Sequence, residues 1–505
     1  MRRHSPLETR KRLLSEKNVI WARQQKALVR VKRNVEDPLD PLWKEQWYIS
    51  STNPELSHGI LTAWRSNRTG RGVVVAIIDD GLEIDHPDLR DNYDPKASYD
   101  FIDNDPIPQI HYDSANSNKH GTRCAGVVAA ASNQICGIGV AFRSRIGGIR
   151  LLNGRVTDIT EASALGFGLQ YIHIYLASWG PDDNGKKMDG PGYLARKALR
   201  HGAIKGRRGL GSIYVWASGN GRSYGDTCSC DGFVNSVYSI AISSVDESGR
   251  SPWYSEWCAS ILASAFSNSK KADKRVISTD LHGKCTDKHS GTSAAASIAA
   301  GIFAIALEVN MNLTWRCLQH MVVRTSKVIS PTDNDWVING AGYRVSHKFG
   351  FGLVDAAGLT ALARVWARVP KQHVCVETVK IRPQPIQTSA RHGVVITSLG
   401  CRNSHDEVRF LEHVVAIISL TSTDRGSIRI VLTSPMGTPS ELLHPRRNDH
   451  SKDGILNWPF MTTHCWGENP QGEWILHVRK TVQSVEGILQ SVTLYLYGTK
   501  EDPKN

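Results

Sequence analysis

The amino-acid sequence predicts a doubly wound α/β domain on a parallel sheet, followed by an all-β sandwich or barrel domain. Three observations carry this expectation. From about residue 43 to 355, β-branched apolar runs alternate with helix-like stretches, as they do when helices cover both faces of a parallel sheet. After about residue 369 the runs become short strands separated by turn residues. Finally, 505 residues with 40% hydrophobic and 22% charged side chains are globular in profile and exceed one ordinary domain.

Taken in order, residues 1–33 form a basic arm with 11 Lys or Arg against Glu8 and Glu16, ending in Arg30-Val31-Lys32-Arg33. Residues 73–78 are a continuous apolar, β-branched run, which suits a strand buried on both faces. Residues 146–152, 173–178 and 212–217 read the same way, with helical stretches at 125–131 and 194–201. Residues 294–308 are the longest apolar helix candidate. The second domain reads as strands at 394–398, 414–420, 428–432, 474–478 and 492–497, with turns at Asp424-Arg-Gly and Pro435-Met-Gly. There are no internal repeats and no low-complexity tract.

The formal charge of +13 suggests a nucleic-acid or polyanion binder. Its distribution argues against that reading, because +9 lies in the first 33 residues and only +4 in the other 472. No basic stretch beyond the arm alternates with aromatics as a single-strand groove does. No run of about 18 apolar residues marks a membrane span. The N-terminus lacks the apolar core of a signal peptide. Yet ten scattered cysteines match no zinc-site spacing, and sequons at Asn67 and Asn312 point to a glycosylating, oxidising compartment. A truncated or alternatively started secretory chain reconciles these signs.

Three motifs carry the chemistry. Ala76-Ile-Ile-Asp79-Asp80-Gly81 ends an apolar strand with an acid. In Lys119-His120-Gly121-Thr122-Arg123-Cys124-Ala125-Gly126, a histidine opens a helix of small residues. In His289-Ser290-Gly291-Thr292-Ser293-Ala294, a serine opens the apolar helix. Parallel sheets bring strand ends and helix starts to one edge. A serine hydroxyl needs a neighbouring base, here His120, and Asp79 holds that base in its tautomer. The Ser293 amide lies at a helix start with a free donor, and Asn220 in Trp216-Ala-Ser-Gly-Asn220-Gly supplies a second donor for an oxyanion. Singly, each motif is more often a turn, a cap or a loop; together, in the order Asp, His, Ser, they form a catalytic constellation.

These motifs resemble the subtilase signatures. Ala177-Ser-Trp-Gly-Pro-Asp-Asp183, Cys228-Ser-Cys-Asp231-Gly, Thr314-Trp-Arg and Phe460-Met-Thr-Thr-His resemble the kexin branch, the furin-like proprotein convertases. The likeness runs from about residue 30 to 499. It implies a residual propeptide over 1–33, a subtilisin-like catalytic domain over 34–368 and a P domain over 369–505. It also implies a calcium-dependent serine endoprotease of the secretory pathway (Golgi, vesicles or secreted) that cuts proproteins after Arg-x-Lys/Arg-Arg, with self-processing after Arg33 at a site marked by Arg30, Lys32 and Arg33. By the same resemblance Asp79, His120 and Ser293 are catalytic, with Asn220 at the oxyanion. The substrate cleft falls on Ser178, Trp179, Gly180, Pro181, Asp182 and Asp183, on Ala217, Ser218 and Gly219, and on Phe233. Asp183 and Asp231 receive the Arg before the cut, Asp80 the next residue, and Glu161 and Asp189 the Arg four back, since carboxylates pair with basic side chains. One calcium site falls on Asp183, Asp226 and Glu256. A second falls on Asp40, Asp88 and the oxygens of Ala131, Asn133, Ile135 and Gly137. Disulfides join Cys136 to Cys285, Cys228 to Cys258 and Cys375 to Cys401, leaving Cys124 free beside the catalytic helix. The partners are proprotein substrates and the chain's own propeptide, with no nucleic acid.

Several positions depart from the family pattern. Ser297 stands for a proline and Leu176 for a cleft serine, and the loop before Cys136 is one residue short. Ser117, Asn153 and Arg155 stand for carboxylates near the cleft, Cys317 for an acid, and Ser427 breaks an Arg-Gly-Asp. Only 33 residues precede the maturation cut, fewer than in the family's propeptide, which acts as a folding template. The alternative is therefore a poorly folding or inactive isoform that binds substrates without cleaving them.

Overall fold

A computed structural model describes residues 6–22, 38–51, 53–268, 275–379, 381–388 and 393–503. The chain divides into two compact units, Met1–Asp37 and Pro38–Asn505. In the first, helix α1 (Pro6–Leu14) carries Lys11 and Arg12 in its last turn. Arg30, Lys32 and Arg33 lie outside the described residues.

The second unit is built on a seven-stranded parallel sheet. Its strands are β1 (Val74–Asp79), β2 (Tyr99–Asp100), β3 (Arg145–Arg150), β4 (Ile174–Ala177), β5 (Ile213–Ala217), β6 (Ser239–Val245) and β7 (Ala263–Phe266), in the order β2-β3-β1-β4-β5-β6-β7. Every residue of β1 is buried, as the unbroken apolar run requires. The helices that position the site are α2 (His120–Ala129), α3 (Asp158–Gly166), α4 (Tyr193–Gly209), α5 (Gly291–Val309) and α6 (Trp315–Thr325). Helix α5 is apolar all round and buried all round, as a central helix must be. It is long and apolar enough to cross a membrane, but here it forms the core of the α/β layer.

Strands β6 and β7 escape the sequence pattern because they carry serines. Ser243 and Ser244 are fully buried. The Ser243 Oγ lies 3.1 Å from the Ser255 Oγ, and the Ser244 amide donates to that same oxygen at 3.3 Å. The Ser243 hydroxyl and the Ser244 amide thus find a partner in a distant segment.

The C-terminal part is a sandwich of two antiparallel sheets. One runs in the order His373–Val379, Gly487–Thr499, Phe410–Ser422, Ile455–Thr462, with Gln384–Pro385 also beside Gly487–Thr499. The other runs Val394–Ser398, Gly472–Lys480, Ile428–Thr433, Pro439–Leu443. Between them pack Ile396, Ile418, Ile430, Phe460, Trp474 and Leu494. Cys136 is joined to Cys285, Cys228 to Cys258 and Cys375 to Cys401. Cys124, Cys230, Cys317 and Cys465 are buried free thiols. The sequon asparagines Asn67 and Asn312 are both exposed.

Candidate active site

Asp79 is the last residue of β1, His120 the first of α2, and Ser293 lies in the first turn of α5. The His120 Nδ1 sits 2.9 and 2.8 Å from the two Asp79 carboxylate oxygens. Asp79 is 1% exposed, whereas the His120 side chain is 36% exposed. One ring nitrogen is therefore fixed as a donor and the other, Nε2, remains the basic one. Burial works to lower the His120 pKa, but the Asp79 charge overrides it and holds the imidazole well above its ordinary value. The close fit needs a glycine: a Cβ on Gly121 would lie 2.2 Å from the Gly81 oxygen and 3.0 Å from the Asp79 Cβ.

Asn220 follows β5 and faces the start of α5. Its Oδ1 accepts from the Thr292 amide at 2.9 Å and from the Thr292 hydroxyl at 3.2 Å. With the oxygen so engaged, the carboxamide nitrogen is the free donor end. Ser297 Oγ donates to the Ser293 carbonyl at 2.8 Å, so the residue in the proline's place is satisfied within α5.

Strands β4 and β5 are parallel neighbours, so the segments after them leave from the same edge. The first holds Ser178, Trp179, Gly180, Pro181, Asp182 and Asp183; the second holds Ser218, Gly219 and Asn220 after Ala217. Trp179 Nε1 donates to the Ile78 carbonyl at 2.9 Å, and Trp216 Nε1 donates to the Trp179 carbonyl at 2.7 Å. Phe233 stacks on Trp216 at 4.7 Å. The Asn220 amide donates to Asp183 at 2.8 Å, tying the two segments together. Gly219, at φ +103°, admits Glu256, whose Oε1 would be 2.6 Å from any Cβ there.

Acids crowd this edge. A Cβ on Gly180 would lie 2.6 Å from the Asp231 Oδ2. Burial pushes Asp231 up to about 7, with Asp183 and Asp226 adding to it. The backbones of Asp189 and Asp231 form a bridge. Glu161 is likewise pushed up to about 7, by burial first and then by Asp158 and Asp189. Asp80, expected in the cleft, also meets the start of α2. It is 4% exposed, and its oxygens accept from the His120 amide at 2.9 Å and the Gly121 amide at 2.7 Å. It therefore caps α2 and sets the angle of His120. An acid passed over in the sequence, Asp113, stands beside the cleft position 117: its Oδ1 accepts from the Ser117 amide at 2.9 Å, and its Oδ2 from the Ser117 hydroxyl.

Two groups of carboxylates suit a hard cation. Asp40 and Asp88 are 3% and 0% exposed, and each has a buried Oδ2 without a hydrogen-bond partner. Burial pushes Asp88 up to about 8, with Asp40 repelling it further. Asn133 spans the pair, its amide on Asp40 at 3.1 Å and its Nδ2 on Asp88 at 2.9 Å. Ala131 donates its amide to the Asp88 carbonyl, and Ile135 and Gly137 lie on the same loop. Orphaned carboxylate oxygens at such burial fit an oxygen-seeking ion. In the second group, Glu256 is held well above its ordinary range by burial, then by Asp226 and Asp183. Among the described residues, the guanidinium that meets this group is that of Arg446, which donates to Asp226 at 3.2 Å. Three carboxylates around one cation leave negative charge to spare, which fits the same class of ion.

Among the described residues Arg155 is exposed and makes no ion pair, and the Asn153 side chain bonds to Asn118. Leu176 is fully buried in β4.

Comparison with known proteins follows this geometry. The Subtilase family model matches residues 70–352 and the Proprotein convertase P-domain model residues 411–496. Furin from Homo sapiens is 49% identical over 500 residues, 98% of this chain and 62% of its own. Proprotein convertase subtilisin/kexin type 4 from Homo sapiens is 50% identical over 496 residues, 97% of this chain and 65% of its own. The chain thus spans less than two thirds of the length of these relatives. The crystal structure of a serine protease of Aeromonas sobria superposes with a TM-score of 0.79 at 20% identity, covering 94% of this chain and 99% of that one. It shares the fold.

Proposed function

The chain belongs to the subtilase family, and on that premise we propose that it is a calcium-dependent serine endoprotease that cuts proproteins after Arg-x-Lys/Arg-Arg. The observation that carries this reading is the doubly hydrogen-bonded Asp79–His120 pair on the sheet edge that also bears Ser293, Asn220 and the crowded acids. In the proposed reaction the Ser293 hydroxyl attacks the scissile carbonyl and gives its proton to His120 Nε2. The developing oxyanion accepts from the Asn220 carboxamide and the Ser293 amide. Asp79 stays ionised and stabilises the imidazolium. His120 then protonates the leaving amine, and water repeats the sequence on the acyl-enzyme.

Specificity follows from charge. Burial first, and neighbouring acids second, push Asp231 and Glu161 up to about 7, so each pocket is short of a cation, and an arginine side chain supplies one. Asp183 and Asp231 take the Arg before the cut, and Glu161 and Asp189 the Arg four back. Asp80 is committed to α2 and acts on the penultimate residue at a distance, beside the half-buried Asp113. Asp183, Asp226 and Glu256 would hold one calcium ion, and Asp40, Asp88 and Asn133 with the loop to Gly137 another. Calcium supplies the positive charge that lets these carboxylates lie together. We place the catalytic domain at 34–368 and the P domain at 369–505, with self-cleavage after Arg33 leaving Asn34 first. Three disulfides accord with secretory-pathway localisation.

The test is a fluorogenic Arg-x-Lys-Arg peptide, assayed with calcium and with chelator. Cleavage after the last Arg is expected only with calcium. Ser293→Ala should lower kcat by about a millionfold and leave the N-terminus unprocessed. Equal turnover by parent and Ser293→Ala chains would refute the assignment.

A further inference from the structure

Outside the N-terminal arm the chain is only +4, yet the structure gathers cations on one face of α4. The regular helix runs to residue 205, where Gly206 turns to φ −60°, ψ 163°. Arg196, Lys197, Arg200, His201 and Lys205 are all exposed on it, and at about 100° per residue they lie within one half of its circumference. The segment Tyr193–Gly209 contains six Lys or Arg and no acid, so the rest of the body outside the arm is net −2. None of these side chains makes a salt bridge among the described residues. The Lys197 ammonium instead sits 4.3 Å from the Tyr193 ring centroid, and Arg200 reaches Tyr238. Elsewhere in the unit, Arg150, Arg316, Arg425 and Arg446 each face a carboxylate. On α4 several unpaired cations lie together.

The surrounding surface is shaped as well as charged. Lys197 and Arg200 line two grooves at once. One, of about 710 Å³, also takes in Leu169, Ile204 and Lys205. The other, of about 440 Å³, is walled by Tyr238, Val415, Tyr495 and Tyr497. The cations therefore form a ridge between two troughs, and one trough offers tyrosines with flat apolar faces and polar tips. A long chain with anions at regular intervals could cross the ridge and lay uncharged rings in the troughs.

We propose that this face of α4 binds a sulfated polysaccharide of the heparin class, independently of the protease reading. Three disulfides place the folded chain in an oxidising compartment, where nucleic acid is not the prevailing polyanion and sulfated glycans are. An anionic membrane fits less well, because Tyr193, Leu194 and Ile204 are the face's only exposed large apolar side chains, too few to insert.

The test uses the full chain carrying Ser293→Ala, to prevent self-digestion, on immobilised and soluble heparin. A helix variant (Arg196→Ala, Lys197→Ala, Arg200→Ala, Lys205→Ala) is compared with an arm variant that loses the same charge (Arg10→Ala, Lys11→Ala, Arg12→Ala, Lys17→Ala). The helix variant is expected to elute at lower NaCl and to weaken heparin binding by about tenfold or more, with a smaller shift for the arm variant. Should the helix variant fold badly, acetylation footprinting of the unsubstituted helix decides: heparin should protect Lys197 and Lys205 and leave Lys11 and Lys17 reactive. Equal shifts in both variants, or no protection of Lys197 and Lys205, overturn the proposal. So does competition by DNA, an acidic peptide or phosphatidylserine vesicles as effective as that by heparin.

Discussion

Arg446 lies in the C-terminal sandwich but acts on the cleft. It is 2% exposed. One amino group donates to Asp226 at 3.2 Å and to the Lys187 carbonyl, and the other to Asp449. Arg425 holds the same Asp449 at 2.7 and 3.1 Å and the Lys186 carbonyl at 3.0 Å. Arg446→Met keeps the bulk and removes the charge, leaving Asp226 buried beside Asp183 and Glu256. Breaking one side of a buried ion pair costs about 3–5 kcal/mol, whereas a half-exposed pair such as Arg429–Glu441, with Arg429 42% exposed, contributes about 0–1 kcal/mol. In chelator, Arg446→Met should therefore lower the urea midpoint far more than Arg429→Met, both in the Ser293→Ala background. With saturating calcium, Asp226 gains a second cation and the difference should narrow. Arg446→Lys should rescue little, because a point charge cannot span Asp226 and Asp449 as the planar fork does. Equal costs for Arg446→Met and Arg429→Met in chelator would refute the reasoning.

Three further outcomes follow. Buried Arg207 donates to the carbonyls of Gly211, Leu313 and Met311, with its Nε unpaired; burial pulls its pKa down to about 10, with Cys317 acting weakly against that. Cys317→Asp places a carboxylate there at the third position of α6, where it also completes a cap with Thr314; it should stabilise by about 1.5–3 kcal/mol, read as a raised thermal midpoint, and an unchanged midpoint rejects the pairing. His58 donates from Nδ1 to the Val354 carbonyl and accepts the Phe266 amide at Nε2, and burial lowers its pKa to about 4. The unfolded chain therefore binds the extra proton first, so the stability that neutral His58 contributes is present above about pH 6.5 and is lost as pH falls toward 4, about 3 kcal/mol in all; pH-dependent denaturation of His58→Gln should show a shallower decline. At the cleft, Asp113→Asn should lower the kcat/KM preference for Arg-x-Lys-Arg over Arg-x-Ala-Arg peptides by about threefold to tenfold, while Ser117→Ala, which leaves the acid in place, should change it less.

The strands and helices legible in the sequence are those whose neighbours are nearby in the chain. The continuous run ending at Asp79 reads as a covered strand, and α5 reads as an apolar helix that the fold buries as its core. Where a residue's task is set by a remote partner, local pattern fails. The serines of β6 read as loop because Ser255, the partner of the Ser243 hydroxyl, belongs to another segment. The type of Asp80 is visible in the sequence, whereas its bonds to the His120 and Gly121 amides are not. Arg446 is 220 residues from Asp226, and no periodicity connects them. Averages hide as much as distance does: a body charge of +4 conceals a helix with six cations, balanced elsewhere by a cleft of clustered acids. That segregation is itself informative, because scattered charges of both signs would have neutralised one another as surface ion pairs. Holding the acids together required Arg446 from the sandwich. The α4 cations, given no such partner, stay available to an anion from outside.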